Sequence, residues 1–143
     1  MSIFEIRNPA TGERTGAVDT TPLGEIATTV ERARRAQKAW SRLPFAARAT
    51  VIRRFHDLAL DCSDAVLDTI QPETGKSRRD ALAELVTVAG TARYYLAHGE
   101  DFLAARRKRG AIPLLTHSRL EQRPHGVVGL IVPWTKTGMK PLL

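Results

Sequence analysis

The sequence predicts an α/β chain, mostly helical, with short β segments and one strand of the parallel-sheet type. Three observations predict it. Apolar residues recur at helical spacing in four stretches between residues 21 and 104. Near the start, Phe4-Glu5-Ile6-Arg7 alternates apolar and polar side chains, as a half-buried strand does. Near the end, Gly126-Val127-Val128-Gly129-Leu130-Ile131-Val132 is a continuous apolar run bounded by Gly and Pro, which suits a strand buried on both faces.

Residues 3–20 read as two short extended segments around a turn. Asn8-Pro9-Ala10-Thr11-Gly12-Glu13 supplies the turn chemistry, because Pro fixes φ and Gly permits positive φ. Thr21-Pro22 reads as a helix start, a capping hydroxyl followed by Pro in the first turn. Ile26, Val30, Ala33, Ala36/Gln37 and Trp40 then fall on one helical face, and Pro44 interrupts. A second helix is predicted over 46–60, with Val51, Ile52, Phe55, Leu58 and Ala59 as its stripe. Ser63 or Asp64 can cap a short third helix through Val66, Leu67 and Ile70, which Pro72 should end or distort. Glu73-Thr74-Gly75-Lys76-Ser77 reads as a turn. A long helix is predicted over 78–104, with Leu82, Leu85, Val86, Ala89, Ala92 and Leu96 inward. Gly90 and Gly99 weaken it by about 1 kcal/mol each relative to Ala. Gly110 and Pro113 break the pattern, and residues 118–124 read as an extended polar segment.

The run at 126–132 poses a physical problem. A parallel strand needs partners that return through crossovers of a dozen or more residues, and only eleven residues follow Val132. Either the strand pairs with the amino-terminal segments or its partners lie outside these residues.

Composition narrows the function classes. The chain has 143 residues, 43% hydrophobic and 26% charged, within the ordinary globular range. The net charge of +7 comes mostly from arginine, in clusters at Arg34-Arg35, Arg53-Arg54, Arg78-Arg79 and Arg106-Arg107-Lys108-Arg109. Such clusters favour nucleic acid or an acidic surface in principle, but more often they are solvated helix faces. The run at 106–109 has no interleaved aromatic, and a helix carboxyl end favours cations without any partner. Cys62 is the single cysteine, so no internal disulfide and no cysteine zinc set is expected. The amino-terminal residues lack the basic-then-apolar pattern of a signal peptide, and the longest apolar run is too short to span a bilayer. The expected location is cytoplasmic, with no membrane partner.

No motif read in isolation carries chemistry. Thr74-Gly75-Lys76-Ser77 imitates the end of a phosphate-binding loop, but Ile70 stands where that pattern needs Gly, and the preceding segment reads as helix. His56, His98, His117 and His125 are scattered without the spacing of a metal site. A catalytic role for Cys62 would need a base and an oxyanion site beside it, so it reads as a bystander. Glu73, Asp80 and Glu84 read as surface helix charge rather than paired catalytic carboxylates, and Tyr94-Tyr95 as core or interface.

Taken in order, the segments resemble the aldehyde dehydrogenase superfamily, in its amino-terminal portion. Asn8-Pro9-Ala10-Thr11-Gly12-Glu13 resembles the family's early turn, and Ala33-Arg34-Arg35-Ala36-Gln37-Lys38-Ala39-Trp40 its first long helix. Arg48 with Val51-Ile52-Arg53 resembles the second helix, Glu73-Thr74-Gly75-Lys76 its E-T-G-K turn, and Ala92-Arg93-Tyr94-Tyr95 a later helical motif. The most specific likeness is Arg123-Pro124-His125-Gly126-Val127-Val128-Gly129-Leu130-Ile131-Val132-Pro133-Trp134, which is similar to R-x-P-x-G-V-V-G-x-I-x-P-W-N. The spacing leans toward succinate-semialdehyde dehydrogenase-like members.

The resemblance implies an incomplete nucleotide-binding domain. Residues 1–116 would be its amino-terminal helical part, 117–125 part of an oligomerisation arm, 126–135 the first strand of the cofactor sheet, and 136–143 a divergent tail. It implies NAD or NADP as cofactor, with the backbone of Ile131, Val132, Pro133 and Trp134 along the nicotinamide side. The family's next residue is Asn, whose amide donates to the oxyanion, and Thr135 occupies that position here. Losing one such donor typically costs about 3 kcal/mol of transition-state stabilisation. Likeness stops at Thr135, which points to a frameshifted or truncated reading frame. The nucleophilic cysteine and the glutamate of the family reaction fall beyond the matched region, and Cys62 lies in the wrong segment to replace the former.

The expected function is therefore a truncated NAD(P)-dependent aldehyde dehydrogenase, aldehyde to acid and in the succinate-semialdehyde class, without activity as an isolated chain. Two alternatives stay open: an interaction partner of a full-length relative through 117–125, or a small basic nucleic-acid binder. Nucleic acid is the less favoured partner.

Overall fold

A computed structural model describes residues 2–112 and 115–132. The chain begins with an antiparallel hairpin, β1 (Ile3–Arg7) and β2 (Arg14–Asp19). Its turn forms as the sequence dictates. The Asn8 side chain accepts from the backbone N–H of Ala10 at 2.9 Å, and Gly12 takes φ 76°.

Four helices follow: α1 (Leu23–Trp40), α2 (Phe45–Asp61), α3 (Ser63–Thr74) and α4 (Arg78–Leu103). Proline or serine precedes three of them, and each start has a local cause. Pro22 and Pro44 sit at extended φ/ψ before α1 and α2. The expected Thr21 cap is not made: Pro22 holds the N-cap position and α1 has no side-chain cap. Neither Ser63 nor Asp64 caps α3, because Cys62 joins α2 directly to α3. Its N–H donates to the Leu58 carbonyl at 2.9 Å, and its own carbonyl accepts from Val66 at 3.0 Å. Ser77 does cap α4, accepting from the Asp80 N–H at 3.2 Å.

Pro72 does not end α3, which runs on to Thr74. Pro72 has no N–H for the Asp68 carbonyl and its ring crowds that carbonyl, a cost confined to the last turn of α3. The stop falls at Gly75, at φ 69° in the left-handed region, with its N–H bonded to the Gln71 carbonyl at 2.8 Å.

The core lies where α3 and α4 cross, at Leu67, Ile70 and Ala81, with Val66 packed against it. On α4 the buried face is Ala81, Glu84, Leu85, Val88, Ala89, Ala92 and Gly99. Leu82 and Val86, expected inward, lie outside it at 47% and 59% exposure. The small residues face inward because α2 and α3 both approach α4 closely. At Gly99 a Cβ would stand 2.8 Å from the Phe45 ring, so α2 leans on the helix there with no room for a side chain. Helix α1 buries no residue fully, but the expected stripe is its least exposed face, with Val30, Ala33 and Gln37 half-buried and Ile26 49% exposed.

After α4 the chain forms a second, separate ribbon, β3 (Arg106–Arg109) antiparallel to β4 (His117–Leu120). The basic run is thus a strand and not a helix end. Arg107 stands opposite Arg119 and Arg109 opposite His117, so one face of the ribbon gathers cations. The expected boundary at residue 117 falls inside this ribbon.

Residues 126–132 form no strand among the described residues, contrary to the strand expected there. A strand exists only where a neighbour completes its hydrogen bonds, and a parallel neighbour requires a crossover. Val128, Leu130 and Ile131 are exposed instead.

Candidate functional site

Two places concentrate the residues singled out in the sequence. The first is the junction between the β1–β2 turn and the α3–α4 turn. Gly75 sits against Pro9 and Ala10 so closely that a Cβ would stand 3.1 Å from each side chain. Beside it, the Lys76 ammonium pairs with the Glu84 carboxylate. Glu84 is only 6% exposed, so this is a buried ion pair at the second turn of α4. Sequence reasoning placed Glu84 on the surface. No spacing rule flags it, because its partner comes from the preceding turn. Arg78 spans from α4 back to α3, donating to Asp68 and Asp64. Those two hydrogen bonds, Asp68's first, hold its guanidinium above the ordinary arginine range.

These contacts decide what the junction can do. The Lys76 ammonium is engaged with Glu84, and the residues before Gly75 are helix α3, not the strand a phosphate-binding loop requires. Asp80 is tied to Ser77, with the serine hydroxyl 2.8 Å from its carboxylate. Glu84 and Asp80 therefore serve the fold separately and do not form an acid–base pair. The junction fastens the hairpin to the helices.

The second place is the segment expected to face a nicotinamide cofactor. Ile131 is 99% exposed and Val132 is also exposed. Pro133, Trp134 and Thr135 lie outside the described residues, as does the tail 136–143. The run reaches this point along α1, where Gly126 and Val127 border a cavity of about 680 Å³ with Ala33, Ala36, Trp40 and Leu43. Gly126 has φ 103°, a conformation that favours glycine, which turns the chain at that border. The described residues do not form a dinucleotide cradle. Such a cradle needs adjacent strand ends and a helix amino terminus at the pyrophosphate, and residues 126–132 have no strand beside them.

The remaining candidates stay apart. Cys62 is exposed at the α2–α3 junction, far in sequence from the segment at 131–135. His56 is close to the neighbouring Asp57, 2.8 Å away. Among the described residues, no three His, Cys, Asp or Glu side chains gather as a metal site, and no helix is long and apolar enough to cross a membrane. Tyr94 and Tyr95 are not core: they form an exposed ring cluster with His98 and Phe102 along α4.

Comparison with known proteins accounts for this arrangement. A protein of Mycolicibacterium smegmatis, provisionally named a succinate-semialdehyde dehydrogenase [NADP(+)], is 38% identical over 118 residues, covering 80% of this chain and 23% of its own length. The crystal structure of methylmalonate-semialdehyde dehydrogenase from Oceanimonas doudoroffii superposes with a TM-score of 0.88 at 29% identity, over 99% of this chain and 28% of that one. A Sinorhizobium meliloti structure, provisionally named for the same activity and complexed with NAD, gives 0.87 at 27% identity, over 99% and 28%. The chain thus spans about a quarter of the length of the relatives it matches. The sequence profile of the aldehyde dehydrogenase family matches residues 2–141, past Thr135 where likeness was expected to stop, and the chain belongs to that family.

Proposed function

We propose that these residues supply the amino-terminal part of the NAD(P)-binding domain of a semialdehyde-oxidising enzyme, and that the 143-residue chain alone turns over no aldehyde. The observation that carries the reading is the segment at 126–132. It matches the family, yet its apolar residues stand in solvent with no neighbouring strand among the described residues. The succinate-semialdehyde class is favoured by the 38% identity to the mycobacterial relative. The names of the relatives support NAD or NADP as the cofactor of the complete enzyme, and the same reading carries a cytoplasmic location.

The test is a pair of measurements on the purified chain. With succinic semialdehyde and either NAD+ or NADP+, no NADH or NADPH formation at 340 nm is expected. Thermal melts with and without each nucleotide should coincide, since a ligand that binds the folded state raises the transition. Turnover that survives Cys62→Ser, or a transition that climbs with nucleotide, overturns the reading.

A second reading is association with a full-length relative through the ribbon, including residues 117–125. The ribbon's isolation favours it: two four-residue strands, exposed throughout, pair only with each other among the described residues. A lone two-stranded ribbon is marginal in water, and its outer edges can accept another strand. Size-exclusion of the two chains mixed should give co-elution that weakens with salt, since residues 106–123 hold six Arg or Lys and one Glu. Separate peaks at low salt overturn it.

A further inference from the structure

Charge is segregated along this chain. Residues 1–101 carry 14 Arg or Lys and 14 Asp or Glu, so that stretch is neutral. Residues 102–143 carry eight Arg or Lys against Glu121 alone, which is the whole net charge of +7. Such an asymmetry points to a polyanionic partner. The basic run lies beyond α4, on a strand, so the field of a helix carboxyl end does not account for it.

The fold sorts these cations by face. Residues opposite each other in an antiparallel ribbon share a face, and side chains alternate along each strand. Arg107, Arg109, His117 and Arg119 therefore stand on one face of the β3–β4 ribbon, and Arg106 and Lys108 on the other with Ser118 and Leu120. All eight residues are exposed. Like charges directly opposite in a ladder work against it, and Arg107 stands opposite Arg119. Glu121 pairs with Arg119 at 2.9 Å and with Arg123 at 3.0 Å. Among the described residues, Arg107 and Arg109 make no ion pair. The face thus presents guanidinium groups whose planar forks match phosphate oxygens.

We propose that this face binds duplex DNA through its phosphate backbone, without sequence preference. A duplex carries about one negative charge per 1.7 Å of axis, dense enough to meet all the cations of the face at once. Residues 103–133 contain no Phe, Tyr or Trp, so the ribbon offers no platform for the stacked bases of a single strand. Cations on both faces leave it no apolar side to lay into a bilayer. The surface used is the side-chain face of the ribbon and not its strand edges, and the proposal does not rest on the dehydrogenase reading.

The test uses the full chain and a fluorescein-labelled DNA duplex, followed by anisotropy between about 50 and 200 mM salt. Binding in the micromolar range is expected at low salt, with log K falling against log salt at a slope of about −3, one unit for each arginine of the face. Arg107→Gln with Arg109→Gln should bring the slope to about −1. Arg106→Gln with Lys108→Gln removes the same charge from the other face and should leave the slope near −3. These side chains are exposed, and circular dichroism checks that each variant keeps the parent's fold. If both pairs lower the slope equally, the attraction is diffuse and the proposal is overturned. No salt-dependent binding by the parent overturns it as well. Vesicles of phosphatidylserine and phosphatidylcholine are titrated at the same salt, because Ile112 and Leu115 are exposed where β3 turns toward β4. Tighter binding to these vesicles than to the duplex would make a membrane the partner and overturn it too.

Discussion

Replacing Lys76 with Met should cost the chain about 3 kcal/mol of folding stability, read as the shift in a urea unfolding curve followed by circular dichroism. Removing one member of a buried pair weakens the compensation of the other charge, typically a loss of about 3–5 kcal/mol. The lower end applies because Lys76 retains 20% side-chain exposure while the Glu84 side chain is at 8%. The loss comes from the carboxylate left in a low-dielectric setting on α4, not from the pair's own net attraction. The double variant Lys76→Met with Glu84→Leu should therefore recover much of the loss, since apolar residues of similar volume often replace a buried pair without penalty. If the single variant unfolds at the parent's midpoint, the pair is solvated and the reading of this junction is wrong. If the double variant is no better than the single one, packing of the lysine stem matters more than charge.

Gly75→Ala should cost about 2 kcal/mol, measured the same way. A residue with a Cβ gives up about 1–2 kcal/mol in the left-handed region, and Gly75 sits there at φ 69°. The added methyl also meets the Ala10 Cβ and the Pro9 Cγ at 3.1 Å. The hairpin turn must shift to admit it. Because β1 and β2 otherwise contact the helices little, protection of the β1 amides against hydrogen exchange should fall further than that of α4. An unchanged midpoint with unchanged exchange would show that the hairpin is not docked through this glycine.

Both variants act at the junction that ties the Asn8-Pro9-Ala10-Thr11-Gly12-Glu13 turn to the Glu73-Thr74-Gly75-Lys76 turn. Each motif was legible alone: Asn8, Pro9 and Gly12 signal a turn, and Gly75 after a helical stretch signals its stop. Their meeting was not legible, because local rules hold no information on which turns touch. Glu84 shows the same limit. It stands eight residues beyond Lys76, and only the fold of α4 back past the α3–α4 turn makes them neighbours. Leu82 and Val86 were placed inward by hydrophobicity, yet α4 turns its small residues to α2 and α3. Close helix approach selects Ala81, Ala92 and Gly99 over larger side chains. The basic run at 106–109 read as a helix end because no local signal shows a strand partner eight residues downstream.

The candidate cofactor segment divides along the same line. Its apolar pattern and its likeness to the family were readable, and the family match over residues 2–141 confirms the likeness. Whether those residues form a strand is not a local property. Backbone hydrogen bonds in a parallel sheet come from chains distant in sequence, and none lies beside 126–132 among the described residues. The sequence by itself determined the helices, the turns and the family, since periodicity, Pro and Gly act within a few residues. Only the tertiary structure decided which face of α4 is buried, that Lys76 and Glu84 form a pair, and that Ile131 stands in solvent, because each depends on what packs across from it.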